Sequence, residues 1–197
     1  MNFLAHLFLS GNDAEIRLGN FIGDYVKGKR FDMYPAKVQQ GIWLHRAIDA
    51  LTDSHPSTKI CTNILKPGLG RYSGVATDVL FDHVLALEWE NYSKRNLENF
   101  TRTFYLQLLQ RFHILPPPVR RFLPFMIQSD RLYSYKSEEG IHHALEIMSN
   151  HTSLPGKAGY VLEQFNINAE LFKLHFRLLF SDLINQSTSK FQITIGN

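Results

Sequence analysis

Three clusters of acids and histidines fall within the first 83 residues. They are Gly23-Asp24 in GNFIGDYVKG, His45, Asp49, Asp53 and His55 in GIWLHRAIDALTDSHP, and Asp78, Asp82 and His83 in ATDVLFDHVLA. Each sits beside apolar or aromatic residues, where an unpaired charge is expensive to bury. Carboxylates and imidazoles so placed pair with one another or gather round a cation. His45 and Asp49 are four residues apart and share one helix face, and Asp53 extends that line by a further turn. Asp78 and Asp82 form an equivalent pair, with His83 one step round; two like charges one turn apart repel, and a cation or water relieves them.

If the two helices pack antiparallel across KPGLG (residues 66–70), their faces meet and gather two histidines and three or four carboxylates. Such an oxygen-rich set suits Mn²⁺, Mg²⁺ or Fe²⁺ better than a structural zinc. A centre of this kind lowers the pKa of bound water and stabilises charge on phosphoryl oxygens, so the residues read as a metal-dependent hydrolase. Blander readings apply to others. Asp53 and His55 suit the cap of a helix beginning at Pro56, and His6, on a short apolar segment, reads as a core histidine. His113, His142, His143, His151 and His175 are set aside as lacking acidic neighbours at ligand spacing.

The elements that position these residues read as helices throughout. Ile42, Ala47, Ile48 and Leu51 form an apolar stripe, with Pro35 in the first turn and Pro56 beyond the end. Apolar residues recur at three- and four-residue spacing from Val75 through Leu87, and KPGLG reads as the break between the two helices. LENFTRTFYLQLLQRFHIL is another helix, stopped by Pro116-Pro117-Pro118, and further helices are expected over 119–128, 138–150 and 168–185. The expected class is all-α: a single-domain helical bundle over residues 1–185. Residues 186–197, polar and then β-prone, are expected to be a flexible tail.

Composition narrows the functional classes. With 197 residues, 44% apolar and 20% charged, the chain suits one globular domain with a core of its own. The single cysteine, Cys61, excludes an internal disulfide and any cysteine-rich zinc site, and fits a cytoplasmic protein. MNFLAHLFLSGN lacks a basic leader region and a small-residue cleavage site, and is too short to span a bilayer. It reads as a packed N-terminal helix, with no membrane partner. The net charge is +3, and the basic residues bunch at Lys27, Lys29 and Arg30, at Lys94-Arg95 and at Arg120-Arg121. No basic-aromatic motif points to nucleic acid. These groups are either solvated helix faces or a means of steering an acidic partner.

MNFLAHLFLS, GNFIGDYVKG, GIWLHRAIDALTDSHP and ATDVLFDHVLALEW, in this order and register, resemble the acyl carrier protein phosphodiesterase family over residues 1–90. The resemblance implies hydrolysis of the phosphodiester joining 4′-phosphopantetheine to a serine of holo acyl carrier protein. It also implies a divalent cation, typically Mn²⁺ with Mg²⁺ or Fe²⁺ as alternatives, and an HD-domain-like fold. The chain departs from HD enzymes in having no His-Asp doublet; Asp82-His83 is the reverse. On the resemblance and local geometry together, Asp24, His45, Asp82 and His83 are the expected metal ligands, with Asp78 and Asp49 next. His6 and Arg46, with Asp49, are candidates for phosphate contact or proton transfer, and Lys27, Lys29 and Arg30 for holding the acidic carrier protein. Two other readings stay open: an HD-like phosphohydrolase of a nucleotide or other small phosphoester, and a non-catalytic helical metal-binding or interaction module.

Overall fold

The computed structural model describes residues 1–195, and among them there are helices and turns but no strand. The eleven α-helices are α1 (Phe3–Leu9), α2 (Ala14–Ile22), α3 (Ala36–Ser54), α4 (Pro56–Leu69), α5 (Ser73–Leu87), α6 (Leu97–Gln110), α7 (Pro117–Gln128), α8 (Arg131–Ser134), α9 (Glu138–His151), α10 (Ala158–Ile167) and α11 (Ala169–Phe191). The prolines act as punctuation: Pro35 precedes α3, while Pro56 and Pro117 open α4 and α7, where a missing N–H costs nothing. His55 caps α4, its Nδ1 accepting from the Ser57 N–H. The all-α class is therefore as expected.

Two expectations change. Lys66–Leu69 do not break the chain but complete α4, and the turn comes at Gly70, whose φ is +55°. Helix α4 therefore lies between α3 and α5, which do not meet face to face. The C-terminal helix does not stop near residue 185 but continues to Phe191, and Ile193 beyond it is buried. Residues 196–197 of the expected tail lie outside the described residues.

The most extensive helix pair is α2 on α3. Helix α1 packs between α2 and α5, while α11 lies across α3, α4 and α5. Helix α1 has two turns, too few to be stable in isolation. Burial holds it: Leu4, Leu7 and Leu9 are wholly inaccessible, and each such side chain contributes roughly 1.5–3 kcal/mol. Helices α2 and α3 approach backbone to backbone. A methyl group on Gly19 would lie 2.0 Å from the Val38 carbonyl oxygen, and one on Gly41 would lie 2.1 Å from that of Ile16.

Gly19→Ala or Gly41→Ala should force these helices apart and cost about 1–3 kcal/mol or more, as overpacking does. Gly74→Ala, in open space on α5, should be neutral or stabilising by about 0.4–1 kcal/mol. Urea unfolding of the three variants checks this; equal stability in all three would show that the close approach is unimportant.

Candidate metal centre

The site begins with the capping of α1. The Asn2 side chain accepts from the Phe3 N–H, and the Asp82 carboxylate, reaching across from α5, accepts from Leu4 N–H (2.7 Å) and Ala5 N–H (3.1 Å). Three backbone donors that a helix start leaves unpaired are thus satisfied. The anchored helix carries His6, 3% exposed, toward α2 and α3.

Asn20 on α2 orients His6. Its amide nitrogen donates to the His6 carbonyl oxygen and to Ser10 Oγ, both at 2.8 Å. Its oxygen therefore faces His6 Nδ1, at 2.7 Å, and that nitrogen carries the ring proton. Burial lowers the His6 pKa, so the ring is neutral near pH 7 and Nε2 presents a lone pair. That lone pair faces Asp49 Oδ1 at 3.1 Å. Two acceptors at this separation repel each other unless a positive centre lies beside both.

His45 supplies the second imidazole. Its ring stacks on His6 with centroids 4.3 Å apart, and the ring fits because residue 23 is glycine: a methyl group there would lie 2.3 Å from His45 Cγ. Nε2 of His45 lies 3.1 Å from Asp49 Oδ2 and 3.3 Å from Asp24 Oδ1. Neither oxygen is aligned as a hydrogen-bond acceptor, and both ring nitrogens are buried without such a partner. Burial alone would lower the His45 pKa, but the Asp24 and Asp49 carboxylates overcome it and raise it to about 9. Asp49 is held well below the usual carboxylate range: burial opposes this, and the contact with the His45 imidazole outweighs it. Asp24, on the 3-10 turn Gly23–Tyr25, is lowered chiefly by its contact with His45 and is the most exposed of the four.

These residues pass a test for a cation. Donor atoms of His6, His45 and Asp49 all lie within 4.8 Å of one another. The pairwise separations of 3.1–3.3 Å match adjacent ligands of one first-row ion, whose bonds of about 2.0–2.2 Å place neighbours about 3 Å apart. Two imidazoles with two carboxylates favour Mn²⁺, Fe²⁺ or Zn²⁺ over Mg²⁺ or Ca²⁺.

Several expected site residues lie elsewhere. Asp82 is wholly buried as the α1 cap, and burial pushes its carboxyl up to about 7 against the pull of the two N–H donors. Asp78 lies 3.1 Å from the Met1 ammonium. His83 directs Nδ1 at the Tyr135 carbonyl oxygen, 2.6 Å away, with its ring edge-on to Phe165. All three are separated from the cluster because α1 occupies the space that α5 was expected to share with α3. Arg46 donates to the carbonyl oxygens of Val26 and Gly28 and lies over the Phe31 and Trp43 rings, so it clamps the 26–33 segment onto α3. Lys27, Lys29 and Arg30 are exposed on that segment. His142 does have an acid at helical spacing, Glu146, 3.5 Å away on an exposed face. Asn20 carries no ionisable group, and its only signal is its place three residues before Gly23 and four before Asp24.

Asn20→Ala should release the His6 tautomer and weaken Mn²⁺ binding about 10–100-fold. Asp82→Ala should do the reverse: metal affinity in the folded chain holds, while stability falls by about 1–3 kcal/mol for each N–H left unpaired. Calorimetric Mn²⁺ titration and urea unfolding of both variants check this; a loss of metal affinity confined to Asp82→Ala would restore Asp82 as a ligand.

Comparison with known proteins agrees with the resemblance. The family model described as "Acyl carrier protein phosphodiesterase" matches residues 1–183, a span that includes every member of the cluster. A protein of that name from Enterobacter sp. (strain 638) is 31% identical over 151 residues, which cover 76% of this chain and 78% of the relative. One from Yersinia pestis is 31% identical over 168 residues, covering 83% and 87%. One from Serratia proteamaculans is 34% identical over 118 residues, covering 59% and 61%. No solved structure matches the chain. The match from the first residue through most of α11, with relatives of one name, shows that the chain belongs to the acyl carrier protein phosphodiesterase family.

Proposed function

We propose that the protein hydrolyses the phosphodiester joining 4′-phosphopantetheine to a serine of holo acyl carrier protein, with His6, His45, Asp49 and Asp24 holding a divalent cation, Mn²⁺ in the first place. The observation that carries the metal reading is the neutral His6 Nε2 facing the Asp49 carboxylate beside a buried, unaligned His45. A cation in this position would supply Lewis acidity, activating water and neutralising charge on phosphoryl oxygens. Water adds its oxygen to phosphorus, the bond from phosphorus to the serine oxygen breaks, and that oxygen takes up the proton.

The chain's residues have separable tasks. Asn20 holds the His6 proton on Nδ1, so that Nε2 stays a donor atom. Asp49 bridges the two imidazoles. Asp24 stands on the open side, where the substrate enters, and the adjoining segment presents Lys27, Lys29 and Arg30 to solvent. A strongly acidic carrier protein complements that segment. Arg46 serves this surface by fixing the segment rather than by touching phosphate. Among the described residues no helix is long and apolar enough to cross a membrane, and cytoplasmic residence belongs to the same proposal. So does an HD-domain-like ancestry, since histidines and acids from separate helices converge here without a His-Asp doublet.

Intact-mass measurement of holo acyl carrier protein after incubation with the protein and Mn²⁺ tests the reading. Loss of the phosphopantetheine mass, abolished by chelation and restored by Mn²⁺, is expected; an unchanged mass at high enzyme concentration would overturn it. Reversing Lys27, Lys29 and Arg30 should lower kcat/KM for the carrier protein well over tenfold at low salt. It should leave a small phosphodiester analogue nearly unaffected, because steering acts on encounter and is screened over about 8 Å at physiological salt. Equal losses on both substrates would assign the triplet to the fold or the chemistry.

A further inference from the structure

Arg17 is the most deeply buried lysine or arginine among the described residues, and it has no acidic partner among them. It is 3% exposed, yet no carboxylate of the described residues lies within 4.0 Å of its guanidinium. Asp13, one turn earlier at the N-cap of α2, is engaged with Lys37 at 2.6 Å and with the N–H groups of Glu15 and Ile16. Arg17 Nη2 donates to Asn12 Oδ1 at 3.1 Å, Nε is buried without a partner, and the guanidinium lies 4.7 Å from the centre of the Phe100 ring. A neutral amide and a ring face are weak compensation for a desolvated charge.

A second guanidinium shares the same narrow cleft. Arg17, Asn12 and Phe100 line it with Ser93 and Arg95, and Gly11 forms part of its wall. The backbone at Arg95 is fixed, since its carbonyl oxygen accepts from Trp89 Nε1 (2.7 Å) and from Ser93 Oγ (3.1 Å). Two like-charged residues thus line one cleft whose lining, among the described residues, includes no acid. Burial, and then Arg95, lower the Arg17 pKa to about 10. Both effects are those an anion would reverse.

We propose that this cleft binds a tetrahedral oxyanion of the phosphate or sulfate class, held between Arg17 and Arg95. Two guanidiniums supply a charge that matches a doubly charged anion better than a single carboxylate, with forked donors suited to its oxygens. The site is separate from the metal centre but physically joined to it. Arg17 and Asn20 are one turn apart on α2, and Gly11-Asn12 directly follow Ser10, which hydrogen-bonds to Asn20. Occupancy would therefore stiffen the α1–α2 turn that orients His6.

The test is a sulfate titration of the metal-loaded full chain, followed by thermal unfolding, with sodium chloride adjusted to constant ionic strength. A saturable rise in Tm of about 2–4 °C in the low millimolar range is expected. Arg95→Gln, an exposed change that leaves the fold intact, should abolish it; Arg17→Leu should abolish it too and, by removing a buried charge, need not lower the starting Tm. Phosphate should act as sulfate does, and any phosphate bound at the metal centre would persist in Arg95→Gln. An equal shift with acetate or chloride, a linear unsaturated rise, or a shift unchanged in Arg95→Gln would overturn the proposal. None of these outcomes bears on carrier-protein hydrolysis.

Discussion

The backbone contact between α2 and α3 is the constraint on which the site depends. With glycine at positions 19 and 41, the two helices meet without side chains between them. A third glycine, at 23, leaves room for the His45 ring at the end of the same contact. The consequence is geometric: Asn20 and Asp24 from α2 and its following turn come within hydrogen-bonding or ionic reach of groups on α1 and α3. A methyl group at any of these positions would move the whole polar set, because interiors packed at native density transmit such displacements.

Polar groups inside an apolar bundle must satisfy one another, and here they do so along connected lines. Asp82 closes the start of α1, Ser10 bonds back to the His6 carbonyl oxygen at its end, and Asn20 links both to the His6 ring. A two-turn helix with weak intrinsic stability thereby becomes a rigid carrier for one imidazole. The exception is the group of nitrogen and oxygen atoms where His6, His45 and Asp49 converge. There the acceptors outnumber the protons, and a positive centre resolves the excess: a proton on His45 in the metal-free chain, a divalent cation in the working state of the proposal. The Arg17 cleft shows the opposite imbalance, with donors and positive charge in excess of acceptors.

The helical class was legible because apolar residues recur at helical spacing and prolines mark the starts of α4 and α7. The His45–Asp49 pair was legible for the same reason, since four residues bring two side chains onto one face whatever surrounds them. Asp24 is proposed from its motif, and the fold places it 3.3 Å from His45 Nε2. Asp78, Asp82 and His83 present the same lettering as a ligand set, and only the tertiary structure shows their partners to be an ammonium, two helix N–H groups and a carbonyl oxygen. A carboxylate beside a helix N-terminus and a carboxylate beside a metal satisfy the same chemical need, a positive partner for a buried anion. KPGLG misled in a related way: proline and glycine weaken a helix, but packing against α5, α10 and α11 carries α4 through them to Leu69.

By itself, then, the sequence determined what local periodicity and family likeness can determine: an all-helical chain, its likeness to acyl carrier protein phosphodiesterases, and the placing of His45 and Asp49 on one face of one helix. Tertiary structure decided which helix stands opposite that pair. The wedge of α1 between α2 and α5 makes His6 the partner of His45 and Asp49, and turns Asp82 into a cap. The same packing makes Asn20, an uncharged residue with no motif of its own, the group that fixes the His6 tautomer. Such choices depend on contacts between residues far apart in the chain, such as Leu4 with Asp82 and His6 with Asn20 and Asp49. Spacing along one helix cannot encode them, because the energy that selects them comes from burial and hydrogen bonding among several helices at once.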